Sequence, residues 1–470
     1  PAMAEVKYAH QNIGFEAIDL ANGLFRVTNR FYFTNLKKYM VHYSVTANNK
    51  VVRSGKVSLD IEPQASKEFT VPIGNLKPQA GTEYFVNFNV TTVEKEPLIP
   101  IGHEIACDQF RLPIESPKKA FKTSGPKLTV STNGDNLSAS SSKVNFMFNK
   151  KTGIVTSYKV DGTEYFSEGF GIQPNFWRAP TDNDYGNGMP KRLQVWKESS
   201  KNFNVTDATV TMDGNNAVIN VNYLLPAGNL YIVNYTIYPS GAVNVTARFT
   251  STDMDAAQTE VSESTRTATF TPGRDAARKE ASKLNVPRIG VRFRLPASMN
   301  QVEYFGRGPA ENYLDRNAGS MVGLYKSTAE ELYFPYVRPQ ENGHHTDTRW
   351  VSLSTGKKGL LIQADNTIGF NALRNSIEDF DDEEATGLSR QWSNFTPEQV
   401  ANHDEAAAKN VLRRQHHIND ITPRDFVEVC VDLKQQGVAG YDSWGSRPEP
   451  AYTLPANREY NWGFTLIPLK

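Results

Sequence analysis

The feature that most limits this chain is a series of short stretches in which β-branched or aromatic residues alternate with polar ones and stop at turn residues. The plainest is LYIVNYTIYPSGAVNVTARFT, Leu230 to Thr250, which reads as two strands around a Pro-Ser-Gly turn, with Gly241 supplying the backbone angle the turn needs. A period of two puts successive side chains on opposite faces of a sheet. Only two stretches carry helix signals: Ser327-Thr-Ala-Glu330 before ELY, and Thr396-Pro-Glu-Gln399 before VANHDEAAAKNVLRR. Each fits a capping box, and Pro397 falls where a first-turn proline is tolerated. Both are expected to be short covers over a sheet edge, and the fold class is all-β.

At 470 residues the chain exceeds the roughly 250–300 at which one hydrophobic core stops growing, so more than one domain is expected. The first part holds about seven strand-like runs, among them LFRVTNRF, YMVHYSVTA, KEFTVPI and TEYFVNFNVTT. That spacing predicts an immunoglobulin-like sandwich over residues 1–115. The segment SPKKAFKTSGPK, Ser116 to Lys127, lacks apolar periodicity and reads as a linker. From Leu128 to Lys470 the strand pattern continues without another clear break, as expected of one large β-domain. No fixed-period repeat or heptad seam is visible.

The 51 basic residues balance 51 acidic ones, so no overall field favours nucleic acid or an anionic membrane. No apolar run reaches the roughly 18 residues of a membrane helix, which predicts a soluble protein. The opening PAMAEVKYAHQ lacks the charged end and apolar middle of a signal peptide and has no initiating Met. It fits a cut segment, and the compartment is not readable from it. Cys107 and Cys430 lie in strand-like runs without a CxxC partner and are expected to be buried free thiols.

Three polar clusters stand out. In FWRAPTDNDYGNG, Phe176 to Gly188, the D-x-D suggests a calcium loop, but the position that should carry the closing Glu is Leu193. An Asx-rich turn with Arg178 paired to an acid is the simpler reading. FGRGPAENYLDRNAG, Phe305 to Gly319, fits neither a dinucleotide loop nor a P-loop, and Glu311, Asp315 and Arg316 read as a salt-bridged loop. In VRPQENGHHTDTRW, Val337 to Trp350, the adjacent His344 and His345 point to opposite faces of a strand and cannot readily grip one metal; His416 and His417 share that limitation. Surface or pocket histidines are expected there. A fourth stretch, GVAGYDSWGSRPEP, Gly437 to Pro450, sets Trp444 among turn residues rather than core residues.

Together FWRAPTDND, GRGPAENYLDR, YFPYVRPQENGHHTDTRW and GYDSWG, in that order, resemble the carboxyl-terminal half of the large bacterial β-galactosidases of glycoside hydrolase family 2. EVKYAHQNI, VSLDIEPQ and GHEIACDQFRLP extend the resemblance through the first domain. The resemblance implies an immunoglobulin-like sandwich followed by a galactose-mutarotase-like β-supersandwich. It also implies preceding jelly-roll, immunoglobulin-like and barrel domains as partners, the barrel carrying both catalytic glutamates. This chain has no alternating strand and helix pattern for such a barrel, so no catalytic residue is expected in it. Mg²⁺ and Na⁺, common in the family, are implied for the barrel region and no metal or cofactor for this segment. Homo-oligomers are frequent in the family.

Within this chain the resemblance implies that Trp444, with Asp442 beside it, forms a platform for a galactoside, whose C–H faces pack on indole. It further implies a mobile loop near GTEYFSEGFG, Gly162 to Gly171, with Gly162 as hinge. The expected role is thus a non-catalytic portion that completes the active-site mouth of a retaining β-galactosidase. Two alternatives are a freestanding carbohydrate-binding module using Trp444, Asp442 and Arg447, and an aldose epimerase using His345 with Glu341.

Overall fold

The computed structural model describes residues 2–95, 97–251, 284–381, 417–442 and 445–470. The helix expected at Thr396–Gln399 lies outside them, as does His416. The chain forms two compact units. One comprises Pro1–Phe121, Phe305–Pro309 and Arg316–Tyr325, and the other Lys122–Tyr304, Ala310–Asp315 and Lys326–Lys470.

The first unit opens with helix α1 (Ala2–Ala9), which the strand-dominated sequence pattern did not announce. Seven strands follow: β1 (Ile13–Asp19), β2 (Leu24–Asn29), β3 (Tyr39–Ala47), β4 (Lys50–Val57), β5 (Ser66–Thr70), β6 (Tyr84–Thr92) and β7 (Glu104–Arg111). They pair antiparallel into two sheets, β1-β2-β5 and β4-β3-β6-β7. Alternate residues of β2, Phe25 and Val27, and of β6, Val86, Phe88 and Val90, face the core. Phe88 is its centre: its ring stacks on Phe15 at 4.3 Å and meets the edges of Phe25 at 4.9 Å and Phe69 at 5.8 Å. Returning residues are fastened through backbone donors, since Ala318 N and Gly319 N donate to the Glu5 carboxylate at 3.1 and 2.7 Å. The Gln109 amide likewise exchanges two 2.8 Å hydrogen bonds with Val322. Cys107 is free but only half-buried, as are most positions of β7, the edge strand of its sheet.

The second unit contains β8 (Thr129–Asn133), β9 (Asn136–Ser140), β10 (Val144–Asn149), β11 (Ile154–Val160) and β12 (Thr163–Glu164), paired as a five-stranded antiparallel sheet. The remaining strands among the described residues are β13 (Gln173–Asn175), β14 (Asn204–Asp213), β15 (Asn216–Leu224), β16 (Asn229–Ile237), β17 (Val243–Ser251), β18 (Arg288–Pro296), β19 (Gln301–Gly308), β20 (Met321–Thr328), β21 (His345–Ser354), β22 (Gly359–Leu373), β23 (Phe426–Gln435) and β24 (Tyr460–Leu469), of which β19 and β20 are divided between the residues of the two units. Their main path runs β13-β18-β23-β22-β24-β17-β16-β15-β14, with β21 pairing β22. Among the described residues the second unit has four short helices: α2 (Asp182–Gly186), α3 (Met189–Arg192), α4 (Gln194–Ser199) and α5 (Ile377–Phe380). The molecule is thus all-β, and no helix among the described residues is long and apolar enough to cross a membrane.

Two kinds of strand build the second unit. β15, β16 and β17 alternate buried and half-buried positions, and their inner aromatic residues Tyr231 and Phe249 pack on Phe176 at 5.1 and 5.7 Å. The β16–β17 turn forms as expected: Gly241 has φ +98° and donates to Tyr238 O. β18 and β23 are instead buried on both faces. One face carries Ile289, Val291, Phe293 and Leu295 against Val427, Val429 and Val431. The other carries Arg288, Arg292, Glu428, Cys430 and Asp432, all buried. Charges placed there must find partners inside the protein.

At Ser327–Glu330 the expected helix is a single turn. The capping box forms one residue later, with Glu331 N donating to Thr328 Oγ1 and Thr328 N to Glu331 Oε2. Only Leu332 N closes a helical bond, to Thr328 O, before Pro335. A residue ahead of proline is pushed out of the helical region, so propagation stops. For the first unit, Phe88→Ala is expected to cost about 3–5 kcal/mol, the range for emptying a buried aromatic site. Urea unfolding followed by circular dichroism checks this, and a cost under about 1 kcal/mol would remove Phe88 from the centre of that core.

Candidate functional site

The polar face of β18 and β23 is continued by segments that the sequence marked as motifs, all within the second unit. Arg178 leaves β13 fully buried, and each of its five N–H donors has an acceptor. Nε and Nη2 grip Asp184 at 3.1 and 3.0 Å, Nη1 reaches Gln435 Oε1 at 3.1 Å and Gln436 O at 2.6 Å, and Nη2 reaches Gly437 O at 3.0 Å. Asp184 is placed by its own helix start: Thr181 caps α2, and the Asp184 carboxylate accepts back from Thr181 N. The expected pairing of Arg178 with an acid is therefore present, set by a capping box in T-x-x-D form.

The acceptors of Arg178 begin the loop 436–447, and other motifs hold its described residues at 438–439 and 445–446. Asp315 accepts from Val438 N at 2.9 Å and from Ala439 N at 2.8 Å. This corrects the salt-bridged loop expected for Asp315, whose two oxygens cradle backbone instead. Asn183 donates to Val438 O at 3.4 Å and Asn187 to Ser446 O at 3.3 Å. Gly445, at φ +84°, lies against the backbone of Gly186: a β-carbon on Gly445 would sit 2.4 Å from Gly186 C. Only glycine meets both demands. Inside the loop, Ser446 N donates to Asp442 Oδ1 at 3.1 Å.

Beneath this loop is a second buried centre. Arg288 Nη2 donates to Glu341 Oε1 at 3.2 Å and Asn371 Oδ1 at 2.7 Å, and Glu341 Oε1 also accepts from Asn371 and Gln435. His344 Nδ1 lies 2.9 Å from Asn371 Oδ1, an oxygen that can only accept, so that nitrogen carries its proton. Arg288 Nε approaches Asp432 Oδ2 to 3.2 Å, but off the hydrogen-bonding direction. Burial pushes the Asp432 carboxyl up to about 7, with the Glu341 charge adding to the shift and Arg288 opposing it. Burial, reinforced by Arg288, holds His344 well below its ordinary range, and burial raises the Cys430 thiol.

Both His344 and His345 are buried, which corrects the surface or pocket placement expected for them. The His345 ring lies 4.9 Å from Tyr304 and 5.1 Å from Phe370 and its Nδ1 meets Gly343 O, while Glu341 turns to Arg288. The epimerase pair therefore does not converge. The cavity beside Glu341 measures about 20 Å³, room for about one water, whereas small-molecule pockets begin near 300 Å³. Among the described residues no cluster of three or more His, Cys, Asp or Glu side chains is arranged to hold a metal.

Of the residues singled out in the sequence, Asp442 is exposed on the loop 436–447 and Trp444 lies outside the described residues. Gly162 sits with φ +78° in the turn between β11 and β12, with open space where a side chain would be. Arg288, Asn371 and Asp432 carried no sequence signal. Each sits in a strand that mixes apolar residues with several other polar ones, so nothing local set it apart.

The sequence matches the family described as "Beta galactosidase small chain" over residues 140–466. The chain belongs to the β-galactosidase small-chain family. Residues 25–113 match "Beta-galactosidase, domain 4". The β-galactosidase of Priestia megaterium is 31% identical over 473 residues, covering 100% of this chain and 40% of its own length. That of Streptococcus thermophilus is 24% identical over 476 residues, covering 100% and 39%. This small-chain family member thus spans about 40% of the length of these relatives. Among solved structures, galactose 1-epimerase from Lactobacillus acidophilus NCFM aligns with 73% of this chain and 98% of its own at TM-score 0.32 and 8% identity. A galactose mutarotase-like protein from Lactobacillus casei ATCC 334 gives 73%, 100%, 0.33 and 10%.

Two outcomes are expected. Asp315→Ala strips two loop amides of a charged acceptor, so exchange of the Val438 and Ala439 amides should quicken roughly 10- to 100-fold, as losing about 1.5–3 kcal/mol implies. Unchanged protection in a hydrogen-exchange experiment would show that the clamp is dispensable. Asp432 keeps in the native state a proton that the unfolded chain releases near pH 4, so its contribution to stability is full below about 4 and lost as pH rises through about 7. His344 acts oppositely, losing stability as pH falls below about 6.5. The difference between wild type and Asp432→Asn isolates Asp432: wild type should lose stability relative to the variant between pH 5 and 8. A constant difference in urea midpoints would contradict this assignment.

Proposed function

We propose that this chain is the non-catalytic carboxyl-terminal portion of a glycoside hydrolase family 2 β-galactosidase, and that its loop 436–447 completes the active-site mouth. The observation that carries this reading is the clamp on that loop, in which Arg178 and Asp315, from two separate motifs, hold its backbone from Gln436 to Ala439, with Asp184 fixing Arg178. A loop held this firmly can present a side chain at its tip without sheltering it in a core. In this reading Trp444 is the platform for a terminal β-galactoside, Asp442 shapes its turn, and Gly162 is a hinge of a second loop. The catalytic carboxylates, and the Mg²⁺ and Na⁺ common in the family, belong to a barrel preceding this chain, which together with jelly-roll and immunoglobulin-like domains is its partner. The reaction would be hydrolysis with retention through a galactosyl-enzyme. Homo-oligomers fit the same reading, and neither nucleic acid nor membrane is a partner.

A second reading draws on the exposure of Tyr441, 67%, on the same loop: a freestanding galactose-binding module. Hydrolysis of a chromogenic β-galactoside separates the two. The chain alone should be silent, the chain joined to a family barrel and its preceding domains active, and Trp444→Ala in the joined protein should raise KM roughly tenfold, about 1.4 kcal/mol. Turnover by the chain alone would refute its non-catalytic role, and saturable galactose binding by the chain alone would favour the module.

A further inference from the structure

Beside the loop 436–447 the second unit has a cleft of about 290 Å³, lined by Asp184, Asn187, Arg192, Asn285, Gln436, Arg447, Pro448, Pro450 and Thr453. Its charges are unbalanced. Asp184, the one acid in the lining, is already committed, since its two oxygens accept from Arg178 and Thr181. That leaves two guanidinium groups, Arg192 and Arg447, sharing one cleft with no ion pair to either among the described residues, and only the field of the already committed Asp184 partly offsets them.

The two arginines differ from Arg178 in how they are used. All five donors of Arg178 are occupied. Arg192 makes one side-chain bond, from Nη2 to Asn187 Oδ1 at 3.1 Å, and its Nε is buried without an acceptor. A buried guanidinium N–H left unpaired costs stability, and a like charge beside it adds to the cost. The field of Arg447, after burial itself, lowers the affinity of Arg192 for its proton. An oxyanion between the groups relieves each of these at once, because a carboxylate or phosphate accepts from the planar fork of a guanidinium in bidentate fashion.

We infer that the Arg192–Arg447 cleft binds a small oxyanion-bearing ligand, a carboxylate or phosphate on a body no larger than a monosaccharide. The volume sets the size limit, near the lower end of ordinary ligand pockets. Pro448 and Pro450 give the ligand an apolar wall, and Asn187, Asn285 and Gln436 add amide groups for its hydroxyls. This site differs from a galactoside platform in demanding a negative charge, and it does not depend on the preceding domains.

Isothermal titration of the chain with inorganic phosphate and with galacturonate, against neutral galactose, tests the inference. Both anions should bind saturably, more weakly as salt rises, and at least tenfold more weakly in Arg192→Gln and Arg447→Gln. Arg447 is exposed, so its replacement changes the cleft without threatening the fold; circular dichroism of each variant confirms this. No saturable binding of either anion would overturn the inference, as would equal affinity in both variants or galactose binding as tightly as galacturonate. Phosphate is not a ligand of the galactoside platform, so failure here leaves the proposed function standing.

Discussion

A guanidinium removed from water dictates the arrangement of the second unit's polar face. Arg178 and Arg288 are both fully buried. Each would cost several kcal/mol if left without acceptors, so the surrounding chain must supply them in fixed directions. Arg178 takes carboxylate from α2, amide from the end of β23 and carbonyls from the loop beyond. Lysine offers no such planar fork and could not join three segments at once. Arg288 does a comparable task one layer deeper, joining Glu341, Asn371 and Asp432. The candidate site is therefore the visible edge of a buried electrostatic framework.

That framework exists because β18 and β23 are covered on both faces. A sheet with one wet face leaves its outer charges to solvent, but here Arg292 and Glu428 are buried and meet across the sheet at 3.4 Å. Asp432 is the least satisfied member, with neither oxygen in a directed hydrogen bond among the described residues. Its raised pKa follows from burial, which an Arg288 shared with Glu341 only partly opposes.

The strand content was legible because alternation is local. LYIVNYTIYPSGAVNVTARFT folds as read, and YMVHYSVTA and TEYFVNFNVTT coincide with β3 and β6. The motifs were legible as clusters, and Arg178 as one half of an ion pair. What they join was not legible, because the partner of Asp315 is backbone at 438–439, and backbone leaves no mark in a sequence. Local signals also misled where tertiary context decides: the Ser327 capping box forms one turn and stops. His344 and His345 read as surface or pocket residues because a strand near charged residues looks half-wet, whereas Tyr313 covers one ring and Tyr304 and Phe370 the other. Cys107 departs the other way, for β7 is an edge strand whose positions are mostly half-buried, and edge placement leaves no local mark in the sequence.

The clamp on loop 436–447 also has a history in time. Arg178 reaches residues 257, 258 and 259 positions away in the chain, and Asp315 reaches residues 123 and 124 positions away. Contacts of such separation close late, after entropy has been spent on nearer pairings. The loop is therefore among the last parts of the second unit to take shape. During synthesis residues 436–439 cannot be fastened until they have followed Arg178 and Asp315 out of the ribosome, so both anchors wait for the segment they hold.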